Sequence, residues 1–222
     1  MYRKYIMTKI FVINLKESND RWEKYKNKDI FTRWNATSID DIMDDIELQE
    51  KLISYWNVRY TKFHFTKCAC LTSHLKLWKY IIDNKINDVL ILEDDAVGKW
   101  NLDTSYFRDD GITYLGGLIY HRHNIEKKFT ETFNEGYHIL DDNKYRMLQT
   151  MAYYIPTWNI MKELYDKIIN LKRYRAIDIM MSNTDIEKYF IYPSIFTEER
   201  VKSTITNNGK KTKYSNEYYQ LA

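Results

Sequence analysis

Val89-Leu90-Ile91-Leu92-Glu93-Asp94-Asp95-Ala96 decides how the rest of the chain is read. Four aliphatic residues run straight into three carboxylates. A continuous apolar run of this length reads as a strand buried on both faces of a parallel sheet. A packed core does not tolerate three adjacent acids, so the strand has to end there, its C-terminal tip open to solvent or to an ion. In open α/β sheets that edge is where ligands bind. A hard divalent cation bridging protein carboxylates and substrate phosphates is one partner for such a cluster. An acidic turn facing water is the other reading, and spacing alone leaves both open.

Upstream, Lys9–Leu15 is a second short β-branched run and reads as the first strand, after which Ser18 can cap a short helix over Asn19–Tyr25. Thr37–Tyr60 is acidic and irregular, with Glu47–Trp56 its best helical piece. Ser73 can cap a stronger helix, because Leu75, Trp78, Ile81 and Ile82 fall at helical spacing and Asp83-Asn84 suits its end. Downstream, Gly111–Leu118 reads as a strand with Gly116-Gly117 at its end, and Thr150–Ile155 as one stopped by Pro156. Thr157 then caps a long helix with one stripe of Trp158, Met161, Leu164, Tyr165, Ile168 and Ile169, and Glu187–Phe196 is a last segment broken by Pro193. Strands alternating with helices predict one α/β domain over residues 1–202, with a mainly parallel central sheet flanked by helices. Residues 203–222, rich in Asn, Lys, Thr and Ser, read as a tail or arm.

Composition narrows the function class. The 222 residues suffice for one substantial core, and 44% apolar with 29% charged residues is ordinary for a soluble globular protein. The 34 Lys and Arg against 31 Asp and Glu leave a net charge of +3, too small to argue for a nucleic-acid partner. Cys68 and Cys70 form a single Cys-x-Cys pair, too few ligands for a structural zinc site and poorly spaced for a disulfide, so they read as small buried residues in a reducing compartment. The apolar runs are too short for a transmembrane segment or a signal peptide, and cytoplasmic residence is the expectation.

Three stretches carry a family resemblance. Val12-Ile13-Asn14-Leu15-Lys16-Glu17-Ser18-Asn19-Asp20-Arg21-Trp22 resembles the opening motif of glycosyltransferase family 25, which includes lipooligosaccharide and collagen galactosyltransferases. Cys70-Leu71-Thr72-Ser73-His74-Leu75-Lys76-Leu77-Trp78 resembles its second motif, and Val89–Ala96 its third. Met151–Ile155 and Ala176-Ile177-Asp178 are weaker counterparts of later elements, the last with Ala176 where the family has Pro. The resemblance implies a GT-A-like fold that takes a UDP-sugar with Mn²⁺ (or Mg²⁺) and inverts the anomeric carbon. The implied acceptor is a saccharide or a collagen-like hydroxylysine.

The residues can be weighed against that expectation one by one. The turn from Asn14 and Leu15 to Arg21 follows the first strand, where backbone groups and an arginine can hold a nucleotide. Ser73-His74, at a helix start, is expected to offer unpaired N–H groups to an anion, or simply to cap. Glu93, Asp94 and Asp95 match the acidic motif of metal-dependent enzymes. Asp95 is expected to ligate the metal, and Glu93 to hold the ribose or join the metal shell. Alternation along an extended segment turns Asp94 the other way, and it too is expected to help hold the nucleotide-sugar. An inverting transfer needs a base for the acceptor hydroxyl. The family pattern points to Asp178, with Asp185, Glu198 and Glu199 in reserve, while a plain helix N-cap is Asp178's competing role. No His follows His138 to complete a metal shell, and His121 and His123 could meet a phosphate or lie exposed. Two other classes stay in view: a non-catalytic module that binds a nucleotide-sugar or glycan, and a Mg²⁺-dependent nuclease or phosphotransferase, which lacks both a basic surface and a phosphate loop.

Overall fold

Alternation within two apolar strands sets the layering. A computed structural model describes residues 9–26, 29–45, 62–98, 104–123, 133–171 and 174–198. The helix expected over Glu47–Trp56, the tail over 203–222 and Glu199 lie outside the described residues. Strand β1 (Lys9–Asn14) and strand β3 (Val89–Glu93) lie side by side and parallel, Ile10 opposite Leu90 and Val12 opposite Leu92. Phe11, Ile13, Val89 and Ile91 point into one core, and Ile10, Val12, Leu90 and Leu92 into another. Both faces of β3 are therefore covered, as its unbroken apolar run requires.

β2 (Phe31–Asn35) pairs parallel to the outer side of β1. On the other side of β3 runs β7 (Tyr145–Ile155), antiparallel, followed in the sheet by β5 (Ile112–His121), β8 (Lys188–Tyr192) and β6 (Gly136–Ile139). β4 (Ala96–Gly98) and β9 (Phe196–Glu198) pair antiparallel off this path. The result is the expected α/β sheet flanked by helices, with parallel pairing around β1 and antiparallel pairing along β7.

The larger core lies under three helices: α3 (Lys62–Asp83), α4 (Trp158–Ile169) and α5 (Ile177–Ser182). Short α1 (Asn19–Trp22) and α2 (Ile39–Asp44) follow β1 and β2. Thr157 caps α4 as expected, accepting from the Ile160 N–H at 3.2 Å. α3 ends at Asp83 in a Schellman turn, Ile86 N–H to the Ile81 carbonyl and Lys85 N–H to that of Ile82, with Lys85 at φ 49° where glycine is usual. None of the described helices is long and apolar enough to cross a membrane.

Two expectations need correction. Ser73 does not start a helix: α3 begins eleven residues earlier, at Lys62, because Cys68, Ala69 and Leu71 are buried and extend the apolar face backwards. Gly116-Gly117 does not end β5 but interrupts its pairing with β7 midway. A Cβ on Gly116 would come within 2.8 Å of the Phe196 carbonyl oxygen, so the glycine is what lets β9 cross there.

Candidate active site

β1 has β2, the next strand in the chain, on one side and β3 on the other. The connections leave it in opposite directions, and the C-terminal ends of β1 and β3 open into the crevice such a switch point creates. The cleft there measures about 630 Å³, within the range of small-molecule sites. Ile13, Leu15, Glu17 and Arg21 line it from the end of β1 through α1, Ala36 to Asp40 from the loop after β2 and the start of α2, and Phe65, Thr66, Ala69, Cys70, Ser73 and His74 from α3. Glu93, Asp94 and Asp95 form its acidic end.

The three acids have different surroundings. Asp94 and Asp95 lie in the turn after β3 and not on an extended segment, and Asp94 is held at both oxygens: Arg21 Nη1 donates to its Oδ1 and Asn14 Nδ2 to its Oδ2, both at 2.7 Å. Asn14 also donates to the Ser18 carbonyl at 3.1 Å, so its side-chain amide braces the acidic loop. Leu15 contributes to the cleft wall. Asp95 is raised to about 7, first by burial and then by the charges of Glu93, Asp94 and Glu198, with Arg21 opposing. Burial pushes Glu93 the same way, but the His74 ring and a hydrogen bond from the Thr150 hydroxyl outweigh it and leave the carboxyl below its usual range.

His74 is fully buried, and its surroundings explain two of the sequence motifs. Trp78 Nε1 donates to the Tyr153 hydroxyl at 2.8 Å, and that hydroxyl lies 2.8 Å from His74 Nδ1. Trp78 has only a donor, so the Tyr153 hydroxyl accepts from it and links the indole to the His74 ring. His74 Nε2 faces Glu93 Oε1 at 3.5 Å. Cys70, His74 and Glu93 have potential ligand atoms within 4.8 Å of one another. Burial together with Glu93, Asp178 and Asp95 pushes the Cys70 thiol well above its usual range, which disfavours the thiolate a metal would take. Hard oxygen donors on Asp95 and Glu93 fit Mn²⁺ or Mg²⁺ better than this mixed set does.

Ser73 acts within the helix, with no free N–H groups to offer. Its hydroxyl donates to the Ala69 carbonyl at 2.7 Å and accepts from the Thr37 N–H at 2.8 Å, which fastens the loop after β2 to α3.

Sequence reading missed the part played by β7. Gln149 has φ 67°, an uncommon conformation for a residue with a side chain. Its N–H donates to Asp178 Oδ2 at 3.1 Å, its side chain hydrogen-bonds Glu198, and the next residue, Thr150, holds Glu93. Asp178 is not the N-cap of α5; Ala176 is. Asp178 Oδ1 accepts the Ile179 N–H at 2.7 Å, and its charge reaches Cys70 on the cleft wall. Glu198 is brought to the acidic end by the β4–β9 register, in which it pairs with Ala96. Burial first, then the charge of Glu93, raises it. Asp185 instead pairs with Lys167 at 2.6 Å on the surface. His121 packs on Tyr145, and His123 is exposed in the following turn.

Arg21 is more enclosed than a lone motif arginine suggests, its side chain 10% exposed against that of Asp94. Arg21→Ala is expected to weaken UDP binding about tenfold and to cost roughly 1–3 kcal/mol of stability, because Asp94 keeps only one of its two partners. Calorimetric titration with UDP and Mn²⁺, beside a thermal melt, measures both. Unchanged UDP affinity would remove Arg21 from the site.

The family model described as "Glycosyltransferase family 25 (LPS biosynthesis protein)" matches residues 7–181. The chain is also similar to procollagen galactosyltransferase 2 of Mus musculus, 27% identical over 97 residues. That match covers 39% of this chain and 15% of the mouse protein, so the chain spans a small part of that relative's length.

Proposed function

Because the chain belongs to glycosyltransferase family 25, we propose that it moves a hexose, galactose first among them, from a UDP-sugar to a hydroxyl of a glycan or a collagen-like hydroxylysine, with inversion. The observation that carries this reading is the convergence of Glu93 and Asp95, with the charge of Glu198 acting on Asp95, at the acidic end of a nucleotide-sized cleft beyond the C-terminal ends of β1 and β3. Ile13, Leu15, Ile39 and Phe65 give that cleft apolar wall for a base, and its acidic end suits a cation-bound diphosphate.

Asp95, with Glu93, would hold Mn²⁺ or Mg²⁺, which when bound neutralises the departing diphosphate. Arg21 and Asn14 hold both oxygens of Asp94 at the acidic end of the cleft, which fixes its direction there. Thr150 and His74 keep Glu93 ionised and fixed in direction. The acceptor hydroxyl has to lose its proton as it attacks from the side opposite UDP. Asp178 is the proposed base, its orientation held by the Gln149 and Ile179 N–H groups. Glu198 is the second candidate, because burial and the charge of Glu93 raise its pKa, which strengthens it as a proton acceptor.

The test is a panel of nucleotide-sugars with the purified chain and Mn²⁺, scored by release of free nucleotide. Release of UDP from UDP-galactose, stopped by chelator, is the expected result. UDP binding without release from any donor, across a range of acceptors, would return the non-catalytic module. Asp178→Asn is expected to slow transfer ~10²–10⁴-fold with UDP affinity kept. Should Asp178→Asn transfer normally and Glu198→Gln fail, the base is Glu198.

A further inference from the structure

Near Asp178, outside the residues lining the cleft, three arginines gather. The β5–β7 register sets Tyr120 opposite Arg146, and Arg146 Nη2 donates to the Arg122 carbonyl at 2.9 Å. Arg122 reaches the far end of α5, donating to the Ser182 carbonyl at 2.8 Å and to Asn183 Oδ1 at 3.0 Å. Arg175 precedes the same helix at its near end.

The charges here do not balance. Asp142 is shared between Lys188, at 2.6 Å, and Arg122, at 3.6 Å. Among the described residues, neither Arg146 nor Arg175 has a carboxylate within ion-pair distance. Arg146 is held below the usual arginine range, by burial first and then by the like charges of Arg122 and Arg175, with Asp178 the one opposing charge. The Nε atoms of Arg122 and Arg146 are buried without a hydrogen-bond partner. Grouped guanidinium forks with spare donors match the oxygens of phosphate or carboxylate.

We infer that Arg122, Arg146 and Arg175 form an anion subsite for the acceptor, recognising a saccharide that carries a phosphate or a carboxylate. The inference rests on the transferase reading above and narrows it. Asp178 lies on α5 between Arg175 before the helix and the Ser182 carbonyl that Arg122 holds, and it accepts the N–H of Gln149, three residues along β7 from Arg146, so an anion held by the arginines lies at the same helix–strand junction as the proposed base. The same arginines repel the ammonium of a hydroxylysine, which favours the glycan acceptor.

The test uses the full chain at low salt, titrated calorimetrically in chelator with inorganic phosphate, D-galacturonate and neutral methyl β-D-galactoside. UDP with Mn²⁺ is titrated in parallel. At least one anion is expected to bind and the neutral sugar not. Arg146→Gln and Arg175→Gln should each weaken anion binding roughly fivefold to thirtyfold, with UDP affinity unchanged. Arg175 is exposed, so its variant keeps the test free of folding defects, and Arg146→Lys should lie between wild type and Arg146→Gln. Binding of phosphate alone assigns a phosphorylated acceptor, and of galacturonate alone a uronic acid. If no anion binds better than the neutral sugar, or anion binding survives in both Gln variants, the inference is overturned. UDP that fails to bind while the anions succeed overturns the donor reading, and with it the assignment of this subsite to an acceptor.

Discussion

Asp95→Asn is expected to abolish the cation-dependent part of UDP binding and, in chelator, to make the protein more stable. Asp95 lies among Glu93, Asp94 and Glu198, and burial with their charges raises its pKa to about 7. The folded state therefore binds this proton more tightly than the unfolded chain, whose aspartates titrate near 4. Stability tied to such a group is fully present below about pH 4 and is lost as pH rises through about 7. At pH 8 the metal-free fold carries an ionised carboxylate it would prefer neutral, and asparagine removes that charge at nearly constant size. The gain is roughly 1–3 kcal/mol after discounting for solvent screening. At pH 5 folded wild-type Asp95 is already protonated, so the gain should shrink to a minor part of its pH 8 value, and it should vanish below about pH 4, where the unfolded chain holds the proton too. Thermal melts in chelator at the two pH values, and UDP titrations with and without Mn²⁺, measure both halves. An equal shift at pH 5 and pH 8, or unchanged Mn²⁺-dependent affinity, would falsify this role. Stability gained where binding is lost is the usual mark of a residue kept for function.

Trp78→Ala should cost roughly 3–5 kcal/mol, a large share of the ~5–15 kcal/mol that holds a domain of this size together. Trp78 is fully buried in the core beneath α3, and its indole N–H is a partner of the Tyr153 hydroxyl. Losing it opens a cavity and leaves the buried Tyr153 hydroxyl, which also contacts His74, without the indole donor. Trp78→Phe separates the two effects, since most of the volume stays and only the donor goes, at about 1–2 kcal/mol. Urea titration of both variants gives the comparison. A Trp78→Ala protein with a midpoint close to wild type would show that Trp78 is not the core residue described.

Elements whose signal lies within a few residues are legible from residue order alone. β3 is one, because an unbroken aliphatic run ending in acids has one comfortable location, the tip of a buried strand. α4 is another, with Thr157 as its cap and an apolar stripe at helical spacing. Ser73 shows where local reasoning stops. A serine before an apolar run is a cap signal only if the preceding residues leave the helix. Here Cys68, Ala69 and Leu71 stay in it because they have a core to meet. Gly116 is visible in the sequence as a glycine but not as the point where β9 crosses.

By itself the sequence determined the fold class, the motifs of the family and the acidic tip of β3, since each depends on local patterns along the chain. Tertiary structure decided which side chains meet there. Arg21 and Asn14 close on Asp94, Thr150 and His74 on Glu93, and Glu198 arrives beside Asp95 from the far end of the chain. These pairings come from strand register and helix packing between distant segments, and register is set by how two apolar faces fit together, which spacing along one strand does not encode.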